Sequence, residues 1–222
     1  MVGEAIARPP SHTPPRFIAF EGPEGGGKST QIRAVAAVLA ARGIPHLVTR
    51  EPGGTAIGEQ IRAILLGVEN RAMVARTEVF LLLAARAQHI AEVIAPALER
   101  GETVLCDRFA GATFAYQGYG RGLPLDALRK LQTFAAGALT PDLTLLFDVP
   151  VEIGLARRQA AGDVNRLDAA GLEFHRRVRE GYLALATADP ARWETLDATA
   201  PRDVVTARTL AVLGEYLDLQ RA

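Results

Sequence analysis

Two kinds of hydrophobic pattern alternate along the chain. Short, wholly apolar runs predict buried strands, and longer stretches with apolar residues at helical spacing predict amphipathic helices. Arg16-Phe17-Ile18-Ala19-Phe20-Glu21 reads as a first strand, and Gly27 to Ala41 as a helix closed by Gly43. Ile44 to Thr49 is a second strand, followed by helices over Thr55 to Leu66 and Arg76 to Glu99. Thr103 to Asp107 and Leu143 to Val149 are further strands; Leu125 to Ala138 and Val151 to Arg158 are helices. After a polar segment, Gly171 to Thr187 is helical, Trp193 to Leu196 is a fifth strand, and Asp203 to Leu219 is a closing helix. Strands that alternate with helices imply a five-stranded parallel sheet covered by helices on both faces, a three-layer α/β fold. Such sheets bind ligands beyond the carboxyl ends of their strands, so the residues after each strand are where chemistry is sought.

Composition narrows this reading. The 222 residues are 49% hydrophobic, enough for one domain with a sizeable core, assigned to residues 16–222. Residues 1–15 carry Pro9, Pro10, Pro14 and Pro15 and no apolar stretch, so they read as a disordered tail rather than a secretory signal. Twenty-five basic residues balance 25 acidic ones. No global field exists to attract a nucleic-acid polymer or an anionic membrane, and any anion must be gripped by local arginines. No apolar run reaches the roughly 18–20 residues of a membrane span, and a cytoplasmic location is expected. The single cysteine, Cys106, excludes an intramolecular disulfide and sits in an apolar run as a core residue.

The loop after the first strand is Gly22-Pro23-Glu24-Gly25-Gly26-Gly27-Lys28-Ser29, followed by Thr30. It matches GxxxxGK[ST] between a predicted strand and a predicted helix. Glycines let backbone amides turn inward around phosphate oxygens, and the helix points its positive end at the same anion. Lys28 reaches the β- and γ-phosphates of ATP, and the Ser29 hydroxyl is a candidate Mg²⁺ ligand. No NKxD-type segment marks a switch GTPase, and motor ATPases normally have longer chains.

The second strand ends in Thr49-Arg50-Glu51-Pro52-Gly53-Gly54-Thr55, and the third in Asp107-Arg108-Phe109. This sets Arg50 and Arg108 on the rim of the phosphate loop, where two guanidinium groups suit a second phosphate. The alternative is surface ion pairing with Glu51 and Asp107. Asp107 also lies where a phosphate-loop protein places its Mg²⁺-supporting aspartate. Arg86 falls on the apolar stripe of its helix, so it faces either a pocket or a carboxylate, or is a snorkelling core arginine.

With the phosphate loop containing Glu24, the Arg50-Glu51-Pro52-Gly53-Gly54-Thr55 segment, Asp107-Arg108, Ala115-Tyr116-Gln117-Gly118, Pro141-Asp142-Leu143 and Asp148-Val149, the chain resembles the thymidylate kinase family. The likeness runs from about Phe17 to the C-terminal helix, and implies a nucleoside monophosphate kinase fold. It further implies transfer of the ATP γ-phosphate to dTMP, with Mg²⁺, in a homodimer. Under this resemblance Arg50 and Arg108 hold the dTMP phosphate, Glu24 accepts from the sugar 3′-hydroxyl, Arg86 and Gln117 meet the thymine, and Tyr116 crowds the sugar near its 2′ position. His89 receives no role.

The polar segment from Arg157 to Arg166 reads as a lid, spanning about residues 157–170, that closes over ATP. The phosphate loop has no arginine, and in bacterial relatives of that kind the lid supplies the catalytic arginines; Arg157, Arg158 and Arg166 are the candidates, with Arg158 and Arg166 preferred. Ala161 stands where relatives often carry an arginine. Leu82 stands where many carry the aromatic that stacks on thymine, so base stacking is either weaker or comes from Phe109 or Phe114 instead. Ala112 replaces a common serine. Two other readings remain: a kinase for another nucleoside monophosphate or a small metabolite, and a regulatory module that binds ATP without transfer.

Overall fold

The computed structural model describes residues 16–162, 165–168 and 170–217. The proposed tail at residues 1–15 lies outside them, as do Asp163 and Val164 of the lid segment.

Five parallel strands form one sheet in the order β2-β3-β1-β4-β5: β1 (Phe17–Glu21), β2 (His46–Arg50), β3 (Thr103–Asp107), β4 (Leu143–Asp148) and β5 (Trp193–Asp197). The apolar run of β1 is explained by burial on both faces. Ile18 and Phe20 point to one side, into a core with Ile32, Val35, Leu145, Phe147 and Leu213. Phe17 and Ala19 point to the other, against Ile94, Ala97, Val104 and Cys106. Successive strand side chains alternate in direction, so only a strand covered twice is apolar throughout. Each such fully buried large side chain contributes roughly 1.5–3 kcal/mol by leaving water.

Helices α1 (Lys28–Ala41) and α9 (Arg202–Tyr216) cover the first face. The second is covered by the long helix of α3 (Ala75–His89) and α4 (Ala95–Glu99), by α6 (Leu125–Ala136), and by α8 (Leu172–Ala188), with α2 (Ala56–Leu66) packed on α3. Helix α7 (Val151–Ala160) follows β4. Element bounds agree with the sequence pattern to within two or three residues. Two features are absent from that pattern. A five-residue π turn, Ile90–Ile94, joins α3 to α4. Between β3 and α6, a short helix α5 (Ala110–Thr113) widens into a π segment, Phe114–Gly120. There Ala115, Tyr116, Gln117 and Gly118 are buried in succession, because the segment is covered from several sides: α8 packs on Ala115 and Tyr116, Glu78 of α3 meets Gln117, and Leu125 of α6 lies against Gly118.

The reading that no stretch reaches membrane-spanning length needs correction. By length and mean hydropathy the 25-residue helix Ala75–Glu99 qualifies. Polar residues interrupt its apolar runs and so hid its overall hydropathy. Those polar residues, Glu78, Arg86 and His89, are buried and partnered within the domain, and the helix packs on α2 and α6.

Candidate active site

The carboxyl ends of β1, β2 and β3 open into a cleft of about 580 Å³. It is lined on one side by Glu24, Gly25, Gly27, Lys28, Ser29 and Thr30 and on the other by Arg50, Arg62, Leu82, Arg86, Tyr116 and Gln117. Asp107 and Arg108 lie between, and Arg157, Arg158 and Ala161 come from the lid side.

The phosphate loop is held open by its glycines. Gly25 has φ +71°, and a Cβ there would lie 2.1 Å from the Gly154 carbonyl oxygen. Gly27, at φ +82°, precedes α1, whose N-terminus has no side-chain cap and no acid in its first turn. The amide donors and the positive helix end therefore suit an anion. Lys28 is buried and donates to the carbonyls of Gly22 (3.0 Å) and Pro23 (2.9 Å). Burial, aided by the Arg108 charge, pushes its ammonium down to about 8. The Ser29 hydroxyl donates to Asp107 Oδ2 at 2.8 Å. This hydroxyl and carboxylate, side by side at the phosphate loop, fit Mg²⁺, which takes few protein oxygens and shares the rest with phosphate and water.

Arg108 follows β3 directly with φ +70°, a left-handed conformation that costs a non-glycine residue of order 1 kcal/mol. Its guanidinium donates to Glu24 Oε1 (2.7 Å), to the Tyr116 and Tyr182 hydroxyls (3.2 and 2.9 Å) and to the Gly22 carbonyl (3.1 Å). Burial would raise the Glu24 carboxyl, but the charges of Arg108 and Lys28 outweigh it and hold Glu24 at about 2. Tyr116 also donates to Glu24 Oε1, at 3.0 Å. The strand-end arginines thus do not form the ion pairs weighed from sequence. Arg108 pairs with Glu24, not Asp107, and the half-exposed Arg50 pairs with Glu59 at 2.8 Å, not Glu51.

Arg86 is 2% exposed and both faces the cleft and meets a carboxylate. Its Nε donates to Glu51 Oε2 at 2.7 Å, and its other nitrogens donate to Gln132 and to the Phe109 carbonyl. The buried His89 holds the other Glu51 oxygen at 3.2 Å and meets the Thr49 hydroxyl at 2.6 Å, so it belongs to the frame beneath the cleft. Gln117 donates to the buried Glu78 at 2.7 Å, while its own Oε1 is buried without a protein partner among the described residues.

Some sequence expectations move. Arg166 does not line this cleft: it is buried, donating to the Leu65 carbonyl (2.8 Å) and Glu78 Oε2 (2.6 Å). The Glu78 carboxylate, far along the chain and unseen in any local pattern, draws it there. Arg158 lines the cleft and pairs with Asp168 at 3.0 Å, and Arg157 reaches the carbonyls of Gly25 (3.4 Å) and Ala198 (2.9 Å). Phe109 lines the cleft but exposes no ring face, and Phe114 does not line it. Phe109 is fully buried, edge-on to Phe17 with the Arg86 guanidinium over its ring, and Phe114 packs with Val79, Leu83 and Leu128 away from the cleft. Leu82 and Ala112 supply apolar lining instead.

A family model described as thymidylate kinase matches residues 20–208, most of the chain. The chain belongs to the thymidylate kinase family. A thymidylate kinase from Pseudomonas savastanoi pv. phaseolicola is 53% identical over 92% of this chain and 98% of its own length. Another, from Thermomicrobium roseum, is 54% identical over 90% and 95%. A third, from Desulfovibrio desulfuricans, is 50% identical over 90% and 96%. The five-stranded parallel sheet with helices around it agrees with the fold of this family.

Sequence reasoning missed four residues of the site. Arg62 lines the cleft from α2 and donates to the Pro52 carbonyl at 2.8 Å; burial, then the Arg50 charge, lowers its guanidinium. Glu21, fully buried at the end of β1, accepts from the amides of Phe109 (2.8 Å) and Ala112 (3.1 Å) and from Tyr182 (2.9 Å). Burial raises its carboxyl, and its bonds seat the segment after β3. Glu51 and Glu78 complete the set. A charge ending an apolar strand run was the available signal for Glu21; the others depend on contacts far apart in sequence.

Proposed function

We propose that this chain transfers the γ-phosphate of ATP to dTMP, giving ADP and dTDP, with Mg²⁺. One observation carries the reading: a single cleft brings a phosphate loop together with Arg50, Arg62 and Arg108, in a chain of the thymidylate kinase family. Two anion grips in one cleft serve phosphoryl transfer; a module that binds ATP alone has no use for the second.

The loop amides and Lys28 hold the ATP phosphates, Lys28 exchanging the Gly22 and Pro23 carbonyls for phosphate oxygens. Ser29 and Asp107 would hold Mg²⁺, which when bound would neutralise charge on the ATP phosphates. Arg50, with Arg108, grips the dTMP phosphate. An oxygen of that phosphate forms the new bond to the γ-phosphorus as the bond from phosphorus to the bridging oxygen breaks and ADP leaves. Glu24, whose two protein bonds among the described residues both fall on Oε1, accepts from the sugar 3′-hydroxyl through Oε2. Tyr116 borders the sugar, and Arg86 donates to the thymine O4. Lid closure over residues 157–170 brings Arg157 and Arg158 to the transferring group. The enzyme acts in the cytoplasm as a homodimer, a reading supported by apolar side chains exposed on α3 and α6.

An ADP-coupled assay with ATP and a panel of monophosphates tests this. Turnover should be best with dTMP and real but poorer with dUMP, since a missing methyl costs about 1–3 kcal/mol. It should be at least about tenfold weaker with dCMP, where Arg86 meets an amino donor. No turnover with dTMP, or a clear preference for another monophosphate, would refute the reading.

A further inference from the structure

Glu78 stands on α3 with 1% of its surface exposed and takes no part in either phosphate grip. Its Oε1 accepts from Gln117 Nε2 at 2.7 Å. Its Oε2 accepts from Arg166 at 2.6 Å and, at 3.4 Å, from Arg121. A primary amide has a donor end and an acceptor end that a half-turn exchanges. Beside this carboxylate one orientation is allowed, because the other would set two acceptor oxygens in contact. The amide carbonyl is therefore fixed on the opposite side. That carbonyl is buried, lacks a protein partner among the described residues, and belongs to a residue that lines the cleft.

We propose that Glu78 is a positioning residue for base choice. It locks the Gln117 amide so that the cleft presents an acceptor beside the Arg86 donors. This pair matches a base with a ring N–H next to a carbonyl, as in a 2,4-dioxopyrimidine. It opposes a 4-aminopyrimidine twice, amino group against guanidinium and bare ring nitrogen against amide carbonyl. The inference rests on the dTMP kinase reading and extends it. It also explains where Arg166 is held. Anchored on the Leu65 carbonyl, that arginine keeps the Glu78 carboxylate in place and ties residues 165–168 to the base pocket.

The test compares kcat and KM for ATP, dTMP and dCMP in wild type, Glu78→Gln, Gln117→Met, the double variant and Arg121→Gln, with thermal unfolding of each. Wild-type turnover of dTMP must come first, and its absence would refute the kinase reading rather than this one. In Glu78→Gln the amide is free to turn, so KM for dTMP should rise and the dTMP-over-dCMP preference should fall about tenfold, with KM for ATP unchanged. In the Gln117→Met background, Glu78→Gln should not lower the preference further. Arg121→Gln removes an ion pair but not the lock, and should leave the preference intact. A preference unmoved by Glu78→Gln, or lowered equally with and without Gln117, would overturn the proposal. If Glu78→Gln does not fold, the ¹⁵N-labelled side-chain amide of wild-type Gln117 decides: its NH₂ protons should stay with Glu78 when dTMP binds, and a direct contact between them and thymine would overturn it.

Discussion

Lys28 illustrates how burial sets a chemical role. Its ammonium is enclosed, and burial together with the Arg108 charge brings it down to about 8. ATP binding needs the charged form, and kcat/KM reports groups on the free enzyme. A plot of log kcat/KM for ATP should be level below about pH 8 and decline above it as Lys28 loses its proton. A profile with no inflection between about pH 7 and 9 would contradict this. Lys28→Ala should lower kcat by orders of magnitude with the fold intact, because the lysine acts on charge that develops during transfer. Arg50 is half exposed and shares its guanidinium with Glu59, so its replacement leaves no buried charge stranded. Hydrogen bonds to charged groups contribute about 1.5–3 kcal/mol, so Arg50→Ala should raise KM for dTMP at least about tenfold. KM for ATP should change little; an equal loss for both substrates would move Arg50 to the donor side. These residues were legible because motif and strand end coincide within a few positions. Their partners were not. Glu51 and Arg86 are 35 positions apart, Glu78 and Arg166 are 88, and nothing local in the chain marks either pair.

The elements were read from apolar periodicity, which succeeds where a helix or strand has one continuous face to bury. It gave no element after β3, where the chain enters α5 and the π segment, because a π turn has neither a period of 3.6 nor one of 2. That segment carries Tyr116 and Gln117, and the Ala115-Tyr116-Gln117-Gly118 motif was recognised by resemblance rather than by period. The lid shows the same limit. Its basic residues were evident, but their directions depend on Asp168, Glu78 and three backbone carbonyls. Those directions separate the arginines. Arg157 and Arg158 line the cleft, so alanine at one of them should lower kcat at saturating substrates by roughly the 10³ or more seen for arginine fingers. Arg166→Ala should instead lower thermal stability, with kcat reduced far less, since the buried Glu78 charge loses its close cation and keeps only Arg121, at 3.4 Å, beside Gln117. Steady-state kinetics and unfolding curves for the three variants check this, and a kcat loss largest for Arg166 would restore it to the phosphate chemistry.

On the scale of the whole molecule, the class of the sheet followed from strand–helix alternation, but the strand order did not. Placing β1 between β3 and β4 depends on how α1 and α9 share one face, which no local run encodes. The order matters because it gathers the ends of β1, β2 and β3 around one cleft. The surface of the molecule carries a further consequence. Phe134 on α6 is 93% exposed, and Phe80 on α3 is 60% exposed, although α3 and α6 pack on each other. Phe80 lies two positions before Leu82 and six before Arg86, on the side of α3 turned away from the cleft that both of those residues line. Large apolar side chains exposed on two helices that pack on each other point to an association surface. Here they fit a two-fold contact between copies, which would brace the helix bearing Arg86 without covering the substrates. Wild type should therefore sediment or scatter as a dimer at micromolar concentration. Phe134→Asp together with Phe80→Asp should yield a folded monomer, since neither side chain belongs to the core. Weaker dTMP binding should accompany the monomer if the contact braces α3. A wild-type monomer, or a dimer untouched by both substitutions, would place the association surface elsewhere and leave Phe134 as an isolated exposed ring.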